Sequence, residues 1–310
     1  MNRRVPFPDV KPGVKIFWLI GFVLFFMLVF TTFGLVISTL VFGRDLASIT
    51  QAVSQPSTAA DRSVILLFQF LNQLGFLFVP VGLFVWLFTN RGRDYLRINK
   101  ISLMPLLLAG IATYAILPVI NWLGDINAQM TFPDWLAGVG EWMKTKETQA
   151  DQITAFLLQV KEGKGLLMNL LVIALIPAVG EELLFRGLLQ RLLNEWTRSV
   201  PVGVILTAVI FSAIHFQFFG FLPRFMLGLM LGILLEITQS LWAPVFAHFV
   251  NNATLVVLYF LHSREMVAVD PEKFGSTHHV YILILSFMLT AYLFYRIKTL
   301  RKKETISVEK

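Results

Sequence analysis

The sequence predicts an all-α fold, a polytopic transmembrane helical bundle of about eight spans, on three observations. Charged residues make up 15% of the 310 positions and hydrophobic residues 56%. Long stretches, such as that between Lys15 and Arg44, contain no charge at all. Basic residues gather beside the apolar stretches rather than within them. A soluble domain carries about 25% charged residues, so a chain this depleted cannot cover a water-facing surface and must turn its outside to lipid.

A membrane span needs about 20 mostly apolar residues. By that measure the first span falls at Ile16–Phe42, the second at Val64–Thr89 and the third at Ile101–Leu123. A polar stretch follows, Asp125–Lys164, with Trp135 and Trp142 among charges. It predicts an extramembrane loop holding an amphipathic or interfacial helix. The fourth span runs from Leu166 through Glu181 and Glu182 to Leu193, and the fifth covers Val200–Phe219. The sixth, Leu222–Leu235, is short and carries Gly228 and Gly232 four residues apart, a spacing that lets another helix of the same chain approach closely. Leu241–Leu261 and Val280–Tyr295 complete the set.

An even number of spans puts both termini on one side. Arg3, Arg4, Lys11 and Lys15 at the start, Arg91, Arg93, Arg97 and Lys100 in the second connection, and the basic tail from Arg296 to Lys310 all share that side. The positive-inside rule makes it cytoplasmic. These clusters account for the net charge of +7 as topology markers, so it is no sign of nucleic-acid binding. The chain has no cysteine, which removes disulfides, thiolate metal sites and a cysteine nucleophile.

An ionisable side chain at the centre of a span costs roughly 2.5–3.5 kcal/mol on the insertion scale, so each one asks for a function. Here they concentrate in spans four to seven, in three short patterns: Glu181-Glu182-x-x-x-Arg186, Phe211-x-x-x-His215 and His248-x-x-x-Asn252. Glu182 and Arg186 stand at i and i+4 and meet on one helix face. Glu181 is turned about 100° away and keeps no local partner, as a general base would. His248 and Asn252 share a face by the same spacing, and two donors aimed at one point stabilise an oxyanion. Against this stand plainer readings: a structural ion pair with a spare glutamate, and histidines that only pack. Gln69, Asn72 and Gln73 of span two are read as interhelical hydrogen-bonding groups, His262, His278 and His279 as interfacial, and Glu236 as reaching out to water.

In this order, each on its own apolar helix, the three patterns resemble the CAAX-protease and bacteriocin-processing (CPBP) family, also called Abi, which includes type II CAAX prenyl endopeptidases. The resemblance covers about Leu166–Leu261, and nothing specific covers the first half of the chain. It divides the chain into residues 1–165, N-terminal helices and extramembrane loop; 166–261, a catalytic core in spans four to seven; and 262–310, the last span and a basic cytoplasmic tail.

The resemblance implies an intramembrane endopeptidase of a bacterial plasma membrane that hydrolyses a membrane-associated peptide or protein. Glu181 and His215 would hold and deprotonate the attacking water, and His248 with Asn252 would form the oxyanion hole. Glu182, Arg186 and Phe211 would brace the site. No cofactor is favoured; zinc is possible, and its ligands would then be Glu181, His215 and His248, although there is no His-Glu-x-x-His pattern. The alternative is a non-catalytic membrane scaffold or immunity-type protein of the same fold. One count sits awkwardly: Glu182 and His248 come out at similar depth, but His215 lies deeper if its helix starts at Val200.

Overall fold

The computed structural model describes residues 6–7 and 9–308, with side chains as far as residue 303. Arg3, Arg4 and Lys310, counted above as topology markers, lie outside the described residues. We number ten helices. They are α1 (Pro12–Phe42), α2 (Leu46–Ser54), α3 (Ala59–Phe88), α4 (Leu103–Ala128), α5 (Ala137–Leu158), α6 (Gly163–Thr197), α7 (Val200–Ala213), α8 (Phe221–Thr238), α9 (Trp242–Ser263) and α10 (Val280–Val308). No strand occurs among the described residues.

Seven of these helices are long and apolar enough to cross a membrane: α1, α3, α4, α6, α8, α9 and α10. The remaining expected span, the fifth, is α7, which has 14 residues and ends at Ala213 instead of running to Phe219. At about 1.5 Å per residue it is roughly 21 Å long, short of a hydrocarbon core of about 30 Å. The chain leaves it through a connection, residues 214–220, in which Phe216 takes a left-handed backbone with φ 53°. A non-glycine residue rarely adopts that conformation, and it prevents the helix from continuing. His215 therefore lies just beyond the end of a short helix that begins at Val200, as expected.

Two helices carry an internal proline directly after a widened turn. Pro80 in α3 and Pro177 in α6 lack the N–H that would close the preceding turn, and in each case that turn is widened to the π form, at Leu74–Phe78 and Leu170–Leu175. A second widened segment in α6, Glu182–Leu189, carries Glu182 and Arg186. Turns of this kind recur at functional sites because they re-aim side chains without ending the helix.

Packing falls into two main bodies. Leu77 and Phe84 of α3, Leu184, Leu188 and Leu192 of α6, and Phe211 of α7 form one buried cluster with Leu19 of α1. Ile116 of α4, Leu231 and Leu234 of α8, Ala247 of α9 and Ile297 of α10 form the other. The seam between them is where α6 meets α8, and there the two spaced glycines act. A methyl group on Gly228 would press on Ala208 and Phe211 of α7 at 3.2 Å, and one on Gly232 would meet Gln190 of α6 at 2.8 Å. Gly228 thus lets α8 sit close on α7 and Gly232 leaves room for Gln190, and polar side chains of α6 bond to α8 carbonyls: Arg186 donates to Gly228 O at 2.9 Å and Gln190 to Gly232 O at 3.2 Å.

Glu236 corrects its reading. It does not reach out to water but ties three parts of the chain together, accepting from Arg97 at 2.9 Å, Gln190 at 2.8 Å and Asn194 at 3.0 Å. The polar stretch after α4 contains the expected helix, α5, with Trp135 and Trp142 exposed before and on it.

Candidate functional site

Arg186 is the organising group. Its side chain is 0% exposed, which would be prohibitive for a lone guanidinium, and its partners surround it. Nη1 donates to Glu182 Oε1 at 2.8 Å, Nη2 donates to Gly228 O, and the guanidinium lies 4.5 Å from the centre of the Phe211 ring. Spacing at i and i+4 within the widened turn brings the carboxylate and guanidinium together, and glycine at 228 lets α8 pack closely on Ala208 and Phe211 of α7.

Glu182 Oε1 has a second partner. His248 of α9 places Nδ1 at 2.8 Å from the same oxygen. Facing a carboxylate, Nδ1 is the donor, so the imidazole is held in one orientation with Nε2 turned away from Glu182. Nε2 lies 3.9 Å from Glu181 Oε2, and the Glu181 side chain, 18% exposed, is the more open carboxylate of the two. The adjacent glutamates thus occupy different surroundings: Glu182 is sealed and tied to two cations or donors, and Glu181 is accessible.

His215 is fixed separately. Its Nδ1 lies 2.8 Å from Phe211 O, and a carbonyl only accepts, so Nδ1 carries the proton and Nε2 of the neutral ring presents a lone pair. Phe211 lies between the two histidines, edge-on to His215 at 5.2 Å and to His248 at 6.0 Å, with Phe185 on a further side at 5.3 Å. Asn252 stands one turn beyond His248; its Oδ1 accepts from Asn251 at 3.2 Å, leaving the amide N–H groups without a partner among the described residues.

The structure thus gathers Glu181, Glu182, Arg186, Phe211, His215 and His248 at one place, with Asn252 a turn away on α9. It does not make a metal cage of them. Glu181, His215 and His248, the set a metal would need, are not arranged as a ligand group, and no group of three His, Asp or Glu among the described residues is placed to hold a metal ion. The Nδ1 atoms of both histidines are bonded to protein oxygens, which leaves both Nε2 atoms open.

A second layer escaped the sequence reading: the groups that pin the connection carrying His215. Asn127, in the last turn of α4, donates to Phe218 O at 3.0 Å and accepts from Leu222 N at 2.7 Å. Glu147 of α5 accepts from Phe219 N at 2.9 Å, and Asp151, one turn on, accepts from Gln217 Nε2 at 2.9 Å. Gln217 Oε1 in turn accepts from Arg224 of α8. Arg224 did give a signal, being an ionisable residue inside an expected span. Glu147 and Asp151 share a face of α5 by spacing alone, but nothing in the sequence says what that face meets. Burial first, then the neighbouring charge of Glu147, pushes the Asp151 carboxyl above its ordinary range.

Fold and site together define a multi-pass helical membrane protein with a buried ion-paired cluster at the seam of its bundle. Residues 163–254 match the family described as type II CAAX prenyl endopeptidase Rce1-like. The match shows the CPBP resemblance stated from the motifs: the segment that carries all three patterns is of the CAAX-protease kind, a family of membrane proteases. Two relatives from Bacillus subtilis (strain 168) are similar at 26% identity. One is named "Uncharacterized protein YpbD", aligned over 180 residues, 56% of this chain and 79% of the relative. The other is named "Putative membrane peptidase YdiL", aligned over 127 residues, 41% of this chain and 51% of the relative, so the chain spans about half of its length. No solved structure matches.

Proposed function

We propose that this protein is an integral membrane endopeptidase that hydrolyses a peptide bond of a membrane-associated peptide or protein with a water activated by Glu181 and His215. The observation that carries the reading is the division of labour between adjacent carboxylates. Glu182, wholly buried, is shared by Arg186 and His248 through one oxygen, while Glu181 beside it is open and 3.9 Å from His248 Nε2. A brace and a base are thereby separated by one residue.

In the proposed reaction water donates a proton to Glu181 as its oxygen bonds to the scissile carbonyl carbon. The lone pair on His215 Nε2 accepts the water's second hydrogen bond and orients the attack. The carbonyl oxygen becomes an oxyanion facing His248 and Asn252. To donate from Nε2 while Nδ1 donates to Glu182, His248 must be charged, and the Glu182 carboxylate supplies the compensating charge. Collapse of the intermediate breaks the C–N bond, and the proton held by Glu181 passes to the leaving amine. We place the protein in a bacterial plasma membrane with both termini cytoplasmic, on the strength of the basic clusters, an orientation that counts the short α7 with its connection as the eighth crossing.

The experiment compares the membrane peptide profiles of cells carrying the wild type and the Glu181→Gln variant, which keeps shape and removes the base. Peptides present with the wild type and absent with the variant are the expected result. Identical profiles, with both proteins equally abundant, would replace the protease by the non-catalytic scaffold.

A further inference from the structure

A cavity of about 870 Å³ lies against the candidate site but contains none of its polar residues. Its walls come from α1, α3, α5, α6 and α7, and they reach the site at Leu184 and Phe185, just past Glu182, and at Ile214 and Phe216, on either side of His215. The volume suits a specific ligand pocket of about 300–1,000 Å³. No charged side chain lines it. On α1 its rim is formed by Ile20, Leu24 and Met27, all exposed apolar residues on a helix that buries few of its side chains. That rim faces lipid.

One wall is different. Gln69, Asn72 and Gln73 of α3 stand at i, i+3 and i+4, so they form a row on a single helix face. Gln73 donates to Val172 O at 3.1 Å and Asn72 accepts from Thr31 at 2.9 Å, which ties both to neighbouring helices. Gln69 makes no hydrogen bond with any described residue, and no donor bond of the Asn72 amide is formed either. Amides left unpaired in an apolar wall are costly and await a partner.

The partner's chemistry follows from these groups. A side-chain amide offers one donor face and one acceptor, which matches a peptide group and matches nothing in a hydrocarbon chain. Within a bilayer a helical segment satisfies its own backbone, but an unwound one does not and must find partners in protein. An uncharged cavity excludes a segment bearing charged side chains. We propose that this cavity takes an apolar, uncharged and locally unwound stretch of a membrane-inserted polypeptide, with Gln69 and the Asn72 amide bonded to its backbone, and so delivers the neighbouring peptide bond to Glu181 and His215. The proposal rests on the endopeptidase reading and names its substrate class.

Binding is measured separately from cleavage, on full-length protein carrying Glu181→Gln in phosphatidylcholine nanodiscs. Three fluorescent probes are compared: a Leu/Ala peptide of about 20 residues interrupted centrally by Gly-Pro, the same peptide uninterrupted, and a phospholipid labelled on its acyl chain. The interrupted peptide should bind best. Adding Gln69→Leu should weaken it about tenfold, the value of one or two lost hydrogen bonds, and leave the other two probes unchanged. Ile153→Trp, which fills the cavity from α5, should also weaken the interrupted peptide. Equal weakening of all three probes, or unchanged affinity in Gln69→Leu, overturns the assignment, as does preference for the lipid. The wild-type protein then separates the two readings. A peptide bound through Gln69 but left intact keeps the cavity and removes the protease, whereas cleavage with affinity insensitive to Gln69→Leu keeps the protease and removes the cavity.

Discussion

Replacing Arg186 by alanine removes the group on which the buried cluster depends. The side chains of Arg186 and Glu182 are each 0% exposed, and the guanidinium supplies one of the two bonds to Glu182 Oε1 and a side-chain bond to Gly228 O. In Arg186→Ala a buried carboxylate keeps His248 alone, Gly228 O loses its side-chain donor, and the ring of Phe211 loses the cation 4.5 Å above it. Breaking a buried pair from one side costs about 3–5 kcal/mol, most of it the charge left behind. The assay is equilibrium or thermal unfolding in mild detergent, followed by loss of monodisperse protein on heating. A second arm isolates the cause: Glu182→Gln with Arg186→Met removes both charges and should recover a large part of the loss, because a buried pair replaced as a whole is often neutral. Arg186→Ala as stable as the wild type would refute the idea that the pair is desolvated. A double variant no better than the single would show that packing, not charge, carries the effect.

Other consequences follow from the same geometry. Asn252→Ala should lower kcat by about 10²–10³-fold and leave KM near its original value, since an oxyanion donor acts mainly in the transition state; a raised KM with kcat untouched would make Asn252 a substrate-binding residue. Asp151 titrates above its ordinary range because it is buried and faces Glu147, with Arg224 and Glu272 as further charged neighbours. A raised carboxyl contributes stability while protonated and loses it as pH rises through its folded value. Stability should therefore decline as pH rises from the ordinary aspartate value to the raised folded value and level off above it, and Asp151→Asn should flatten that decline in a pH series of unfolding midpoints. An unchanged slope in Asp151→Asn would assign the decline to another group. Reporter fusions at Asn2 and Lys310 should both report the cytoplasmic side, and two outward reports would reverse the proposed orientation.

The bundle was legible in the sequence because lipid imposes a simple rule: a span must be apolar for about 20 residues and satisfy its own backbone. The three motifs were legible for the complementary reason, since charge inside an apolar run is costly and its spacing along a helix shows which side chains share a face. Gly228 and Gly232 announced close approach in the same way. These are local quantities, readable from composition and period alone. What they do not contain is the orientation of one helix against another. Nothing between residues 182 and 248 says that Glu182 Oε1 would be shared with His248, or that Glu236 would bind Arg97 rather than water. The helix of the expected fifth span ends early for a similar reason: the stretch to Phe219 is apolar enough, but Asn127, Glu147 and Asp151, drawn from two other helices, bond to residues 217–219 and to Leu222 at the start of α8. The sequence by itself determined which residues must be buried and which of them share a helix face. Only the tertiary structure decided which faces meet, because a hydrogen bond between helices depends on angles and distances set by all the packing around it.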